Sequence, residues 1–351
     1  MLTNSRKTKA KYSMELTPRK RFLNALLRQE VDRAPVANPN TIVTVELQER
    51  AGAFFPDAHN NPEIMARLAA AGHTICGYDV VFPVFGAGTQ EAAALGVPVR
   101  WGDKNNLPVI AGYIWKEVDD IEIPADFLEK QPTRTVLEAI RMLREEFGER
   151  VGIIGKVYGP WSLAYHTFGI EQFLIDTVMD PEKAKAILHR LKEIPLMFAK
   201  AQIEAGADAL NYCDHITGDL VNPEAYPQFL LEIHQEASKK ISCPLILHCC
   251  GKTLDRIKYF NKNGMECYNF ESANDAVEMR SKADMVLLGN INNAQTIYRG
   301  TKEDVRREVF YALDAGVEII GPECAVPVNG KLSNIIAIRE AVEEYYEQKR
   351  T

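Results

Sequence analysis

The sequence predicts an α/β fold, a (β/α)8 TIM barrel with an N-terminal helical cap and an elaborated loop after the second strand. Two observations predict it. Eight short apolar or β-branched runs recur along the 351 residues, and helical patterns with start and stop signals separate most of them. The runs are Ala34–Ala37, Tyr78–Phe85, Val151–Tyr158, Ala207–Asp214, Pro244–Cys250, Glu266–Glu271, Asp284–Asn290 and Val317–Gly321. Each reads as a buried parallel strand, covered on both faces. Eight repeats of strand then helix favour a closed barrel over an open sheet.

Residues 1–14 carry Arg6, Lys7, Lys9 and Lys11 with no acid and no apolar stretch, which reads as a disordered basic arm rather than a secretory signal. The rest, 15–351, reads as one barrel domain. Thr17-Pro18, Asn61-Pro62, Asp180-Pro181 and Asn222-Pro223 each look like an N-cap followed by Pro at the first helical position. Thr301 with Asp304 resembles a capping box, and Gly148, Gly206, Gly264 and Gly316 stand where helices end. The helix before the first strand is expected to cap the barrel bottom. Residues 86–132, with Pro98, Pro108 and Pro124, are too long for a simple βα loop and read as small helices or a hairpin.

Composition excludes several classes. The chain is 46% hydrophobic and 25% charged, with net charge −7 and pI near 5.6. It carries no dense Lys/Arg run in the folded part, which argues against nucleic acid. No apolar run approaches the ~20 residues that cross a bilayer. Seven cysteines spread along a long chain read as reduced thiols in a cytoplasm, not as a disulfide framework.

In a (β/α)8 barrel the active site lies at the C-terminal ends of the strands. Asp214 ends the fourth run, His248 and Cys250 the fifth, and Glu271 the sixth; Asn290 and Asn292 lie at the seventh, and Cys324 follows the eighth. Alternate residues of a strand share a face, so His248 and Cys250 project together while Cys249 points away, an irregular strand end being the case in which Cys249 would be the ligand instead. One imidazole and two thiolates make a Zn²⁺ site with its fourth position open, the catalytic pattern. Glu271 is read as a further zinc ligand, as a partner for a substrate head group, or as a structural residue. Asp214 is read as a general base or substrate contact, or else as a cap of the turn into Asn222-Pro223. Asn290 and Asn292 are read as substrate-binding. Cys76, Cys213, Cys243 and Cys267 are assigned to the core, and His59, His73, His166, His189 and His234 to non-ligand roles.

With these residues in place, the chain resembles the uroporphyrinogen decarboxylase superfamily, and within it the methylcobamide:coenzyme M methyltransferases. The resemblance runs from Leu16-Thr17-Pro18-Arg19-Lys20-Arg21 and Val31-Asp32-Arg33-Ala34-Pro35 to the C-terminal helix. Its specific parts are Leu247-His248-Cys249-Cys250-Gly251-Lys252-Thr253, Gly289-Asn290 and Gly321-Pro322-Glu323-Cys324-Ala325. The decarboxylases carry an arginine-rich segment after the first strand, where this chain has Asn38-Pro39-Asn40-Thr41, and they lack the His-x-Cys. The resemblance implies zinc on His248, Cys250 and Cys324, with Glu271 completing the shell when no thiol is bound. It implies methylcobalamin or another methylated corrinoid as methyl donor, carried by a separate small corrinoid-binding protein, and a small thiol such as coenzyme M as acceptor. The alternative within the family is a demethylating enzyme that loads the corrinoid from a methoxy, methylthio or methylamine compound. A metal-free decarboxylase on the same fold, and a binding protein with a structural zinc, are the remaining readings.

Overall fold

Seven parallel strands curl into one sheet, and a short segment near the N-terminus closes it. The computed structural model describes residues 15–350, so the expected basic arm at 1–14 lies outside the described residues. The strands are β1 (Val80–Val81), β4 (Gly152–Tyr158), β5 (Ala209–Cys213), β6 (Leu245–His248), β7 (Cys267–Asn269), β8 (Val286–Ile291) and β9 (Ile319–Pro322), hydrogen-bonded in that order. Between β1 and β4, β2 (Val99–Arg100) and β3 (Val109–Ile110) form a separate antiparallel hairpin. Each barrel strand coincides with one of the apolar runs.

The eighth run, Ala34–Ala37, makes a single bridge rather than a ladder. Val36 pairs in parallel with Ile320 of β9. Ala37 donates to the Ile320 carbonyl at 2.9 Å, and Ile320 donates to the Pro35 carbonyl at 3.0 Å. On its other side the Asp79 N–H donates to the Val36 carbonyl at 2.9 Å, while the Val36 N–H donates to the Asp79 carboxylate at 2.8 Å. A side chain thus replaces part of the ladder. The same carboxylate pairs with Arg21 at 2.7 Å and Arg33 at 2.8 Å, and Arg21 also reaches Asp32 at 2.7 Å. Arg21, Asp32 and Arg33, which belong to the motifs that mark the resemblance, therefore lock the barrel shut. Gly321 is required at this seam, because a Cβ there would lie 1.8 Å from the Ala37 carbonyl oxygen.

The N-terminal helix Pro18–Leu26 is capped by Thr17 and buries Phe22. It covers the barrel bottom: the Arg19 N–H donates to the Arg150 carbonyl just before β4, and its guanidinium meets Asp208 just before β5. The expected N-caps at Asn61, Asp180 and Thr301 are present, the last as a full capping box. Gly148, Gly206 and Gly316 end helices. Two expectations fail. Asn222 caps only a turn, its side chain accepting from the Ala225 N–H at 3.0 Å, and the helix begins at Ala225. Gly264 follows a turn rather than a helix, since the preceding helix Ile257–Phe260 ends earlier. Residues 86–132 hold both elements anticipated there, the helix Thr89–Ala94 and the β2/β3 hairpin.

Candidate metal centre

Strand parity decides what enters the barrel. On β4, a Cβ added at Gly155 or Gly159 would meet residues of the helix layer and the outer face of β5, so Lys156 and Tyr158 face inward. The register pairs Tyr158 with Cys213 and Cys213 with His248, so these three stand at one level. Asn269 pairs with His248 in the same register and accepts from Asn40 at 3.1 Å; from two residues lower on β4 Lys156 Nζ donates to Asn40 at 2.9 Å, and Asn211, level with Lys156, donates to the Pro39 carbonyl. The barrel interior beside and beneath His248 is therefore polar and hydrogen-bonded.

His248, Cys250, Glu271 and Cys324 converge on this polar interior, their ligand atoms all within 4.8 Å of one another. His248 Nε2 is 3.1 Å from Cys250 Sγ and 3.4 Å from Cys324 Sγ, and the two sulfurs are 3.6 Å apart. Tetrahedral zinc with ordinary Zn–S and Zn–N bonds places sulfurs about 3.8 Å apart and nitrogen about 3.6 Å from sulfur. The three atoms therefore already stand near three corners of such a tetrahedron, and the donor set fits zinc. His248 Nδ1 is buried with no partner, so Nε2 is the nitrogen aimed at the sulfurs and packing holds the ring.

Electrostatics reinforce that fit. The Cys250 hydrogen bond pushes the Cys324 thiol well down, and the same bond, then burial, pushes the Cys250 thiol well up. Burial, then the charge of Cys324, raises the Glu271 carboxyl. Two thiols and a carboxyl whose negative charges disfavour one another are the arrangement a divalent cation relieves.

The loop carrying Cys250 is braced from β7. Asn274 accepts from the N–H groups of Thr253 and Leu254 at 2.8 and 3.0 Å and donates to the carbonyls of Gly251 and Glu271. Gly251 turns with φ +76°, and a Cβ there would lie 2.2 Å from an Asp219 carboxylate oxygen. Glu323 fastens the other side. Its carboxylate accepts from the Ser272 N–H at 2.9 Å and the Asn293 N–H at 2.7 Å, joining the loops after β7, β8 and β9 beside Cys324.

The remaining sequence candidates sit differently. Cys249 is fully buried on the opposite face from His248, as parity requires, and burial pushes its thiol up. Asp214 does not face the ligand cluster. It shares the outward face of β5 with Tyr212, is fully buried, and accepts from the Ser162 N–H at 2.8 Å while pairing with His234 at 3.0 Å. In place of the substrate contact or the cap of the Asn222 turn, it caps the helix Pro160–Thr167 and ties it to the helix Leu231–Lys240. Asn292 caps the helical turn Asn293–Arg299 and donates to Ser272, so its side chain is committed to structure. Asn290 is buried at the end of β8, with a 3.4 Å bond to the Asn274 carbonyl.

Three residues of the barrel interior escaped the sequence reading. His215 follows Asp214 and turns inward, its ring edge-on to His248 at 5.8 Å and its Nδ1 2.9 Å from Ser162 Oγ. Tyr158 lies 5.8 Å from the His215 ring. Lys156 is the third. A charged residue inside the apolar run Val151–Tyr158 was the available signal for it.

The whole chain can now be set beside known proteins. The family model for uroporphyrinogen decarboxylase (URO-D) matches residues 17–345. The chain belongs to the URO-D family. Relatives about a third identical to it include methyltransferases. A methylcobamide:CoM methyltransferase of Methanosarcina barkeri is 33% identical over 337 residues, covering 95% of this chain and 99% of that protein. A methylated-thiol–coenzyme M methyltransferase of Methanosarcina mazei is 32% identical over 333 residues, covering 94% and 90%. A solved methyltransferase structure from Methanosarcina mazei superposes with a TM-score of 0.91 at 29% identity, covering 95% of this chain and all of that one. This URO-D family chain thus shares both fold and nearly full length with methyltransferases.

Proposed function

We propose that this URO-D family enzyme is a zinc-dependent methyltransferase that moves a methyl group from a methylated corrinoid to a small thiol of the coenzyme M kind. The single observation that carries the zinc reading is the convergence of His248 Nε2 with the sulfurs of Cys250 and Cys324 at 3.1–3.6 Å. The transfer reaction rests on relatives that act on methylcobamide and coenzyme M.

His248, Cys250 and Cys324 would hold the metal, and Glu271 would occupy the fourth position until a thiol displaces it. Zinc held there would supply the Lewis acidity that favours the thiolate form of an incoming thiol. The two cysteine thiolates cancel the +2 charge and keep the bound sulfur electron-rich. The thiolate would be the nucleophile towards the methyl carbon of the corrinoid, with the electron pair of the carbon–cobalt bond leaving on cobalt as Co(I). His248, fixed by packing, and the Asn274 and Glu323 braces hold the site in position for the transfer.

The corrinoid would arrive on a separate small corrinoid-binding protein, and the enzyme would work in the cytoplasm. No helix among the described residues is long and apolar enough to cross a membrane. Residues 15–351 are read as one barrel domain, since buried residues from Phe22 to Val342 join one apolar cluster. The decarboxylase reading lacks its guanidinium groups. Asn38 instead donates to the Cys324 carbonyl at 3.1 Å and Asn40 to Asn269, so the segment braces the metal-binding strand ends.

Anaerobic incubation of the zinc-loaded chain with methylcobalamin and small thiols tests this reading. Absorbance should report cob(I)alamin forming with a thiol present and not without one. The methylated-thiol relative favours one second reading, removal of methyl from a methylthio compound onto cobalamin. Transfer in that direction only, with none to a free thiol, would replace the proposal.

A further inference from the structure

Glu323 stands directly before the ligand Cys324, and Ser272 directly after Glu271. The Glu323 carboxylate joins the two. One of its oxygens accepts both donors of Ser272, the N–H at 2.9 Å and the hydroxyl, and the other accepts the Asn293 N–H at 2.7 Å. All three donors are neutral, and Glu323 is only 8% exposed. Hydrogen bonds to an ionised acceptor are among the stronger ones a protein makes. The strands that carry the two ligands, β7 and β9, are not neighbours, because β8 lies between them. The carboxylate therefore reaches across the end of β8 and fastens the backbone beside one ligand to the backbone beside the other.

The two ligands do not depend on this bond equally. Cys324 has anchors of its own. Its carbonyl accepts from Asn38 at 3.1 Å, the next carbonyl, of Ala325, accepts from the Asn293 side chain at 2.9 Å, and the Glu323 N–H donates to the Ile291 carbonyl at 3.0 Å. Glu271 lies beyond the end of β7, which stops at Asn269. Its carbonyl is held by Asn274, and Ser272 on its other side is held by Glu323. Glu323 cannot favour Glu271 at the metal by charge, since both are carboxylates. Its grip on the Ser272 backbone is what can.

We propose that Glu323 is a positioning residue for the exchangeable ligand. It keeps Glu271 aimed at the metal held by His248, Cys250 and Cys324 until a thiol displaces it, and it leaves those three ligands to their own anchors. This inference rests on the reading above in which Glu271 gives way to a thiol. It concerns binding alone and adds no bond-making step.

The test measures zinc affinity of the full chain by competition with a chromophoric chelator, with and without saturating 2-mercaptoethanesulfonate. Glu323→Ala should hold zinc about 10-fold more weakly than wild type in the absence of thiol. With thiol present, when Glu271 is off the metal, it should come within about two-fold of wild type. Ser272→Ala, which removes only the hydroxyl bond, should lose about three-fold without thiol and nothing with it. In a Glu271→Gln background Glu323→Ala should cost no further affinity, because the two act as a unit. An equal loss with and without thiol overturns the proposal and makes Glu323 a support of Cys324. Wild-type affinity in Glu323→Ala, or additive losses in the double variant, overturn it as well. If Glu323→Ala does not fold, Ser272→Ala decides, and an unchanged thiol-free affinity there overturns the proposal. A Glu271→Gln protein that binds zinc as wild type does without thiol would remove the exchange reading itself. A weakened Glu271→Gln beside an unaffected Glu323→Ala would remove only the role of Glu323.

Discussion

The sulfurs of Cys250 and Cys324 lie 3.6 Å apart although 74 residues separate them in the chain. Their strands, β6 and β9, are not neighbours in the sheet, for β7 and β8 stand between them. Only the curl of the sheet brings the two strand ends over a common point. Local sequence could not have formed this pair, and its geometry depends on the barrel being closed.

Metal content should follow strand parity. Cys250→Ala or Cys324→Ala should lose most of the bound zinc, because each removes a ligand that has no substitute nearby. Cys249→Ala should keep it, since that side chain is buried on the outer face of the strand. Elemental analysis of the purified variants decides the point. Zinc lost from Cys249→Ala and retained in Cys250→Ala would reverse the assignment.

Glu271→Gln should hold zinc less tightly in the absence of thiol and about as tightly in its presence. Its carboxyl lies within the 4.8 Å ligand cluster and is destabilised by burial and by Cys324, a strain that a bound cation relieves. Competition with a chromophoric chelator, with and without 2-mercaptoethanol, measures both affinities. Equal affinity of wild type and variant without thiol would make Glu271 a neighbour rather than a ligand.

Asp79→Ala should destabilise the fold by about 3 kcal/mol or more, because it strands buried guanidinium groups and the Val36 N–H together. Chemical denaturation would show a lower midpoint. A change below about 0.5 kcal/mol, the range of an ordinary surface substitution, would mean that the barrel seam does not depend on this carboxylate.

Acid should weaken the protein through His59. Its ring stacks on Phe55 at 4.3 Å, neither nitrogen has a partner, and burial pushes its pKa down from 6.5 to about 3. Between those values the unfolded chain binds a proton that the folded chain excludes, so stability falls as pH drops from about 6.5 towards 3. At pH 5 the loss from this one group is about 2 kcal/mol. His59→Phe should remove that part of the loss between pH 7 and pH 5 in denaturation curves. His166, pushed by burial to about 4, acts in the same direction, so the acid limb should flatten without vanishing. An unchanged limb in His59→Phe would place the acid sensitivity elsewhere.

The barrel was legible because buried parallel strands announce themselves as apolar runs, and because Pro and Gly punctuate the helices between them. Parity along Leu245–Cys250 was equally legible and separates Cys249 from Cys250. The same parity, applied to Leu210, Tyr212 and Asp214, would have turned Asp214 outward towards His234. Its place at a strand end was instead read as a place in the pocket. Asn292 was misread for a related reason, since a polar residue after a strand is as often the cap of the next helix. Lys156 and Glu323 were not legible as partners. Their surroundings come from Asn40, Tyr158, Ser272 and Asn293, residues that only the closed barrel brings to them.

The central claim is that a thiol binds with its sulfur on zinc held by His248, Cys250 and Cys324. X-ray absorption at the zinc edge, recorded on the full chain before and after addition of 2-mercaptoethanesulfonate, tests it directly. The account predicts that the zinc gains one sulfur neighbour at about 2.3 Å while an oxygen neighbour is lost. An unchanged shell of one nitrogen, two sulfurs and an oxygen, at thiol concentrations that saturate binding, would contradict it.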